Sequence, residues 1–387
     1  MTDEETKLTE QYKLKKQREH ILDAPDTYIG GIEIDEINDW ILKDEKMVLS
    51  KFNFIPGLFK CFDEAIVNCR DHFIRQQQKK NNKENVLEVT NIEVNIDKET
   101  GIISLINDGD GIDVAKHPEH GIYCPELIFA NLMSSTNYDK TKKKITGGKN
   151  GFGVKLIFIY SSWGQVETID HRRNLKYVQD YTDNLSKIHK PKITKSEKKK
   201  PYTKVSFKLD FERFGIKKLD DDIFNILKKR TCDIAAVTDK SVKVNFNGEP
   251  ICVRNLEDYI SLYIGDKTVA TRVFEKQGRW EYGISNTTTG EFNQVSFVNG
   301  VNTTKGGKHV DYLMSQIVRK IITYIEKKKK IKVTPASIKE QLMLFLNVAI
   351  ENPAFDSQTK NYLNTPSSRF GSKCEVSDKF IENIVKK

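Results

Sequence analysis

The chain has 387 residues, 38% hydrophobic and 10% aromatic, so it can bury a sizeable core, and at roughly 150 residues per domain it suggests two or three domains. Its 63 basic and 54 acidic residues leave a net charge of +9, a mild excess that fits a polyanionic partner without requiring one. The six cysteines show no C-x-x-C spacing, which argues against a secreted disulfide scaffold. No apolar run approaches the roughly 20 residues that span a bilayer, which argues against a membrane protein. Together these features predict a soluble intracellular chain with reduced thiols.

The first predicted elements are a flexible polar arm and a long helix. Residues 1–19 are helix-prone but have no apolar face to bury, so we expect an arm that can reach a partner. From 56 to 73 apolar residues recur at helical spacing, which predicts an amphipathic helix. The polar face of this helix carries Glu64, Asn68 and Asp71.

The rest of the chain alternates strand and helix patterns, which predicts an α+β protein. In the first half the predicted elements are a hairpin (92–96, 102–106), a helix (125–133), a glycine-rich loop (147–153) running into an apolar helix (154–160), strands (165–169, 204–209) around a surface excursion (187–201), and a helix (223–235). In the second half they are a strand and turn (242–248), strands (280–285, 294–298) and helices (309–329, 335–341). New strand and turn signals after residue 238 favour a domain boundary there, which gives domains 1–238 and 239–387.

Three polar residues of the first long helix have the spacing of a reactive site. Glu64, Asn68 and Asp71 stand at positions i, i+4 and i+7, so they share one helical face. A carboxylate that can orient or deprotonate water then lies beside an amide oxygen that can bind Mg²⁺. Taken alone, such a motif is more often an exposed polar face, and this alternative stays open.

Three further motifs have base-binding or phosphate-binding chemistry. In N-D-G-D-G at 107–111, the Asp108 carboxylate at a strand end can accept from an exocyclic amine, although such turns are usually ordinary. The loop from Gly147 to Lys155 lacks Walker A spacing, but its backbone N–H groups and lysines can surround a triphosphate. At 356–360, Lys360 ends a polar loop and can reach a γ-phosphate, although most such loops bind nothing.

The order of these four motifs resembles that of the GHKL ATPases, a superfamily that includes gyrase, heat-shock chaperones, histidine kinases and mismatch-repair proteins. Longer blocks are similar to one branch, the eukaryotic-type type II DNA topoisomerases (type IIA). The blocks are 20–30 (H-I-L-D-A-P-D-T-Y-I-G), 56–71 (P-G-L-F-K-C-F-D-E-A-I-V-N-C-R-D), 135–139 (S-T-N-Y-D), 297–300 (F-V-N-G), 303–311 (T-T-K-G-G-K-H-V-D) and 350–360 (I-E-N-P-A-F-D-S-Q-T-K). The resemblance is to the N-terminal ATPase and transducer region, and it runs from about Tyr12 to Ile384.

The resemblance implies roles for residues of the first domain. Glu64 would act as the general base that polarises the attacking water, Asn68 would bind Mg²⁺, and Asp108 would face the adenine. The ribose and phosphate contacts fall on Ser135, Thr136 and Asn137, with Thr136 in place of a commoner serine. The phosphate-binding lid falls on Gly148, Lys149, Asn150, Gly151, Phe152, Gly153, Val154 and Lys155, with Lys149 replacing arginine and Phe152 replacing tyrosine.

The resemblance also implies nucleotide contacts from outside that domain. Gln358, Thr359 and Lys360 would sense the γ-phosphate from the second domain, and Lys360 would stabilise the transferring phosphoryl group. Tyr28 would reach the nucleotide of a partner chain. This last role implies a homodimer that forms with nucleotide.

By the same resemblance, the fold would be a GHKL (Bergerat) α/β sandwich followed by a ribosomal-protein-S5-like transducer. ATP and Mg²⁺ would close two chains into a gate for the passage of double-stranded DNA. Lys328, Lys329 and Lys330 fall where the family contacts DNA, although a solvated helix end is an equal alternative. Because the chain stops before the TOPRIM and DNA-cleavage regions, we expect it to hydrolyse ATP and to cut no DNA.

Two other functions remain to be weighed. A chaperone or a mismatch-repair-like clamp would use the same pocket to hold protein clients, and a non-catalytic module would bind DNA or protein through its basic surface. The blocks at 303–311 and 356–360 favour the topoisomerase branch, and the presence of Glu64 and Asn68 argues against a degenerate pocket. We expect the protein to act with DNA, in the nucleus if it is cellular and in the nucleus or a cytoplasmic replication site if it is viral.

Overall fold

The computed structural model describes residues 15–132, 143–148, 151–197, 200–268 and 270–386. Among these residues, no helix has both the length and the apolar character needed to cross a bilayer. The helices are α1 (Gln17–Asp23), α2 (Pro25–Tyr28), α3 (Pro56–Asn81), α4 (Cys124–Ala130), α5 (Gly153–Ile159), α6 (Asp221–Val237), α7 (Leu256–Ile264), α8 (Lys308–Lys329), α9 (Pro335–Lys339) and α10 (Asp378–Lys386), with a 3₁₀ helix at Ser367–Arg369. The strands are β1 (Asp35–Lys43), β2 (Lys46–Phe54), β3 (Asn91–Ile96), β4 (Ile102–Asp108), β5 (Ser161–Asp170), β6 (Leu175–Thr182), β7 (Lys187–Ile188), β8 (Lys192–Lys195), β9 (Tyr202–Leu209), β10 (Lys243–Phe246), β11 (Glu249–Pro250), β12 (Arg272–Gln277), β13 (Trp280–Asn286), β14 (Asn293–Val298), β15 (Val301–Asn302) and β16 (Leu342–Val348).

These strands form sheets of different sizes. The strands β1 and β2 pair with each other as an antiparallel hairpin. The largest sheet runs β11-β10-β3-β4-β9-β5-β6-β7, with β8 also paired to β6, and a third sheet runs β12-β13-β16-β14-β15. Most neighbouring strands are antiparallel, and among the described strands only the β10–β3 and β14–β16 pairs are parallel. Helices pack against these strands. The α+β prediction is therefore confirmed.

Helix α3 is the centre of the fold because most of its first four turns are buried. Pro56 opens the helix, where a missing N–H loses no helical hydrogen bond. Its apolar side chains pack in the main core, and α5, α6 and β4 lie against it. The helix also buries Lys60, Asp63, Glu64 and Asp71, which are side chains that need partners when they leave water. The predicted helix is confirmed, and burial excludes the exposed-face alternative for Glu64 and Asp71.

The predicted hairpin at 92–96 and 102–106 is present as β3 and β4. These strands pair antiparallel, with Ile92 opposite Asn107. Along β4, Ile103, Leu105 and Asn107 alternate onto one buried face, and α3 packs over this strand. The turn that follows Asp108 is therefore held next to α3.

Some elements differ from the sequence predictions. Part of the predicted arm forms α1, and residues 1–14 lie outside the described residues. The β1–β2 hairpin is not predicted from the apolar pattern. Residues 187–197 of the predicted excursion lie at the surface, but they also add β7 and β8 to the edge of the large sheet.

The large sheet continues past the predicted domain boundary at 238/239. Strand β10 pairs parallel with β3, with Lys243 opposite Asn91 and Phe246 opposite Val94, and β11 pairs with β10. The main hydrophobic cluster also includes Tyr259 of α7 with residues of β14 and β16. The exact division of the chain into two domains stays a prediction.

Candidate functional site

Glu64 lies between two lysines in the interior of the protein. The carboxylate oxygen Oε1 is 2.8 Å from Nζ of Lys60, which is one turn earlier in α3. The same oxygen is 2.8 Å from Nζ of Lys360, 296 residues later in the chain. Burial raises the pKa of Glu64, but the charges of Lys360 and Lys60 outweigh burial and hold its pKa at about 2. The two predicted catalytic residues are thus in direct contact.

The second oxygen of Glu64 faces the glycine that starts α5. A Cβ added to Gly153 would lie 1.9 Å from Oε2 of Glu64 and 2.6 Å from its carboxyl carbon. Since contacts this short do not occur, no residue with a side chain fits at Gly153 without displacing the carboxylate. The predicted lid therefore ends in contact with Glu64, and Phe152 and Val154 on either side of Gly153 pack against the core.

The start of the predicted lid is held by hydrogen bonds from both halves of the chain. Asp71 accepts from the backbone N–H of Gly147 at 2.9 Å and from that of Gly148 at 2.7 Å. From the second half, the Asn299 side chain donates to the Thr146 carbonyl oxygen at 3.2 Å. Asp71 was predicted only as the third polar residue of its motif, and the structure gives it an anchoring contact.

Within the lid, Lys155 closes a turn. Its Nζ donates to the carbonyl oxygen of Gly151 at 2.5 Å, and the Lys155 side chain is almost fully buried. Burial lowers the pKa of Lys155 to about 8. Gly151 has a φ of +71°, a backbone conformation that favours glycine.

The loop that carries Lys360 is compact. Lys360 itself has a φ of +64°, which is uncommon for a residue with a side chain, and its N–H donates to the Ser357 carbonyl oxygen at 3.2 Å. Thr359 lies against Gly30, where an added Cβ would be 3.3 Å from the Thr359 methyl group. Gln358 is partly buried in the same loop.

The sequence block at 303–311 holds the segment that follows Lys360. The N–H of Lys305 donates to the Asn361 carbonyl oxygen at 3.0 Å, and the N–H of Lys308 donates to that of Leu363 at 2.9 Å. A Cβ on Gly307 would lie 2.5 Å from the backbone nitrogen of Leu363, so the two segments approach too closely for a side chain there. The block at 303–311 therefore packs against the segment directly after Lys360.

Asp108 already has partners in its own part of the sheet. Its Oδ1 accepts from the N–H of Thr90 at 2.7 Å and of Asn91 at 2.8 Å, and its Oδ2 accepts from the Thr90 hydroxyl at 2.5 Å. These contacts fit the ordinary-turn alternative, and the adenine role of Asp108 stays a prediction. Asn107, the preceding residue, is the side chain on the face of β4 that packs toward α3.

The other predicted site residues are distributed as follows. Asn68 is partly buried one turn after Glu64, and the Tyr28 hydroxyl is 3.1 Å from Nδ1 of His20. The exposed C-terminal end of α8 carries Lys328 and Lys329, followed directly by Lys330. Five predicted residues lie outside the described ranges, namely Ser135, Thr136, Asn137, Lys149 and Asn150.

An ionic cluster around Glu64 was not predicted. Asp63 accepts from Lys60 at 3.1 Å and from Nε of Arg230 at 2.7 Å, and Arg230 also donates to the Gly300 carbonyl oxygen at 2.7 Å. All three charged side chains are buried. The i, i+3 and i+4 spacing of Lys60, Asp63 and Glu64 is the signal that the sequence does contain.

Two places in the described structure carry donor atoms of the kinds that bind metal ions. The amide oxygen of Asn68, beside a carboxylate in the same helix, is the hard donor type that suits Mg²⁺ when phosphate oxygens complete the shell. A second group, His117, Glu119 and His120, brings possible ligand atoms within 4.8 Å of one another. The rings of His117 and His120, however, are stacked, with their centroids 4.7 Å apart and an angle of 18° between their planes. Nearly parallel rings cannot both direct an in-plane nitrogen lone pair at one ion, so this group does not fit as it stands.

Similarity to known proteins decides the family. A family model described as DNA gyrase B matches residues 255–387. The chain is 43% identical, over 98% of its length, to DNA topoisomerase 2 of Arabidopsis thaliana and equally to that of Acanthamoeba polyphaga mimivirus. The crystal structure of the ATPase region of Saccharomyces cerevisiae topoisomerase II is 41% identical, with a TM-score of 0.89 that covers 98% of this chain and 96% of that one. This chain belongs to the type II DNA topoisomerase family.

Within the type II topoisomerases, the chain corresponds to the ATPase region. It spans 26% of the length of the Arabidopsis relative and 30% of the mimivirus relative. The predicted GHKL sandwich followed by a transducer is confirmed as the fold class by the likeness to the yeast ATPase region. Since the likeness covers nearly the whole chain, the topoisomerase branch is preferred over a chaperone or a mismatch-repair clamp.

Proposed function

We propose that this chain is the ATP-operated gate of a type II DNA topoisomerase, which binds and hydrolyses ATP with Mg²⁺ and thereby closes a homodimer around DNA. The observation that carries the proposal is the contact between Lys360 and Glu64. It joins a cation from the last part of the chain to the carboxylate of a central helix. Such a contact makes nucleotide chemistry in one half sensitive to the position of the other half.

The roles of the site residues follow from their surroundings. Glu64 would orient the attacking water and accept its proton, with Oε2 as the oxygen turned to the lid. Lys360 would stabilise the negative charge of the transferring phosphoryl group. The lid residues from Gly148 to Lys155 would supply backbone N–H donors and a cation to the phosphates. Mg²⁺, held by Asn68 and by phosphate oxygens, would neutralise part of their charge.

Lys360 must leave Glu64 to reach a phosphate. In the structure, the Glu64 carboxylate takes the place of the phosphate anion that Lys360 would bind. With both lysines present, Glu64 has a pKa of about 2 and is a weak base at neutral pH. Departure of Lys360 removes one of these charges and raises the pKa of Glu64. Phosphate capture would therefore also activate the base.

The partners of the whole enzyme belong to the same proposal. Closure would bring Tyr28 of one chain to the nucleotide of its partner, and Lys328 to Lys330 would contact double-stranded DNA. DNA cleavage would need the other regions present in the longer relatives. The site of action would be wherever the DNA is, which is the nucleus for a cellular protein and the nucleus or a cytoplasmic replication site for a viral one.

The proposal is tested by steady-state ATP hydrolysis with Mg²⁺. Glu64→Gln should lower kcat by about 10²-fold to 10⁴-fold, the usual contribution of a general base. Glu212→Gln changes an exposed glutamate and should leave kcat unchanged. Neither protein should relax or cut DNA. Full ATPase activity in Glu64→Gln, or DNA cleavage by the chain alone, would contradict the proposal.

A further inference from the structure

Lys60 is a buried cation that contacts the proposed base but differs from Lys360 in its attachment. Its side chain is 4% exposed, and its Nζ lies 2.8 Å from Oε1 of Glu64 and 3.1 Å from Oδ2 of Asp63. Burial lowers the pKa of Lys60, but the charges of Glu64 and Asp63 outweigh burial and raise it. Lys60 is thus a permanently charged group at the site.

We infer that Lys60 is a positioning residue for the proposed hydrolysis, because it holds Oε1 of Glu64 and keeps Oε2 turned to the lid after Lys360 has moved to the phosphate. The inference rests on the proposed function. It assigns different tasks to two lysines that share one oxygen atom.

The attachments of the two lysines explain why Lys360 is the one that leaves. Lys60 lies inside α3 and is also bound to Asp63, which Arg230 fixes from α6 at 2.7 Å. Moving Lys60 away would break two buried ion pairs and leave buried carboxylates without their cation, which is strongly unfavourable. Lys360 belongs to a loop, and among the described residues it forms an ion pair with Glu64 alone.

The geometry of the carboxylate explains why one cation must stay. Both lysines contact Oε1, while Oε2 faces Gly153 at the start of α5. The terminal torsion of a glutamate is broad, so a carboxylate without a partner on Oε1 would rotate. Loss of orientation at a reacting group lowers the rate even when substrate still binds.

The groups around Glu64 leave no other described cation for this task. Helix α3 supplies Lys60 and Asp63, the loop supplies Lys360, and α6 supplies Arg230, which reaches Asp63 rather than Glu64. Helix α5 contributes uncharged Gly153, and its Lys155 donates to a carbonyl oxygen of the lid. Among the described residues, Lys60 is therefore the cation that can stay on Glu64.

The first test is the Lys60→Met variant in steady-state ATP hydrolysis. We expect kcat to fall about 10-fold to 100-fold, because a misplaced group can cost on the order of 10²-fold. The dissociation constant of a non-hydrolysable ATP analogue should stay within about threefold. The control is Lys229→Met, which removes a partly buried lysine paired with Asp233 at 3.6 Å and should keep the wild-type kcat.

A second variant covers the case in which Lys60→Met does not fold. In Lys60→Gln the side-chain amide can still donate to Asp63, so the fold has a partner for that carboxylate, but the charge on Glu64 is lost. The same fall in kcat is expected. A folded Lys60→Gln protein with kcat within about threefold of wild type would overturn the inference.

A double-variant cycle separates positioning from a merely structural role. In the Glu64→Gln background the base is already lost, so Lys60→Gln should cause no further loss of the residual rate. An equal further loss in that background would mean that Lys60 acts on the fold and would reject the inference. If Glu64→Gln itself keeps full activity, the proposed function fails instead, so the two failures are distinguishable.

Discussion

At the residue scale, two buried lysines show how the surroundings decide what one side chain does. Burial dominates at Lys155 and lowers its pKa to about 8, while two carboxylates outweigh burial at Lys60 and raise its pKa. Lys155 can therefore change charge in a pH range where Lys60 cannot. Lys60 lies between two carboxylates that favour its charged form, whereas burial governs the pKa of Lys155.

If Lys155 binds the nucleotide as proposed, the affinity for nucleotide should depend on pH. A bound triphosphate favours the charged amine, so protonation and binding support each other. As the pH rises above 8, the free protein loses this proton and affinity should fall, approaching about tenfold per pH unit. In Lys155→Arg the charge persists, so affinity should stay flat. The check is the dissociation constant of a non-hydrolysable ATP analogue between about pH 7 and 9.5, and the same slope in Lys155→Arg would exclude this lysine as its cause.

The residues of the site differ in how far the sequence reveals them. Glu64 and Lys360 are predicted together through their motifs, and the structure brings them within 2.8 Å. Lys60 has the spacing of an ordinary ion pair on a helix surface, and only its burial gives it significance. Asp108 stands in a motif that predicts adenine binding, yet its carboxylate accepts hydrogen bonds from the backbone N–H and the hydroxyl of Thr90. Local spacing carries no information about such distant packing.

At the element scale, the same limit explains which strands the sequence predicts. The β3–β4 hairpin has clear apolar alternation and a short turn, so it is predicted with its pairing. The β1–β2 hairpin turns through Asp44 and Glu45, both with positive φ, and lacks the glycine that usually marks such a turn. Strand β10 pairs parallel with β3 across a gap of more than a hundred residues, a contact that no local pattern indicates.

The glycine-rich lid is the element whose anchor is most open to test. The two carboxylate oxygens of Asp71 accept hydrogen bonds from the backbone N–H groups of Gly147 and Gly148. In Asp71→Asn one of these oxygens is replaced by an NH₂ group, which is a donor and cannot accept from the N–H that it faces. The loosened lid should raise KM for ATP by about tenfold, with a smaller change in kcat. Asp311→Asn, at an exposed position of α8, is the control and should change neither constant. An unchanged KM in Asp71→Asn would mean that this anchor does not shape the nucleotide site.

At the scale of the whole molecule, polar contacts and the core join the two halves around Glu64. Glu64 connects to the last third of the chain directly through Lys360. A second connection runs from Asp63 to Arg230 and on to the Gly300 carbonyl oxygen. Two buried connections of this kind make an independent movement of either half unfavourable without a change at Glu64.

Nucleotide-dependent dimerisation tests whether this coupling reaches a second chain. Tyr28 lies near the N-terminal end of the described residues, with its hydroxyl 3.1 Å from His20 of the same chain. If Tyr28 exchanges that contact for a partner's nucleotide, a non-hydrolysable ATP analogue with Mg²⁺ should double the 44.6 kDa mass of the chain in light scattering. Tyr28→Ala should weaken this dimer by about tenfold or more, because a side chain central to an interface commonly contributes over 1 kcal/mol. Tyr28→Phe keeps the ring and shows how much of the effect belongs to the hydroxyl. If the wild type stays monomeric with nucleotide, the gate mechanism is removed and a nucleotide-binding fold remains. If Tyr28→Ala does not weaken the dimer, the gate mechanism stands, and a residue other than Tyr28 makes the contact with the partner's nucleotide.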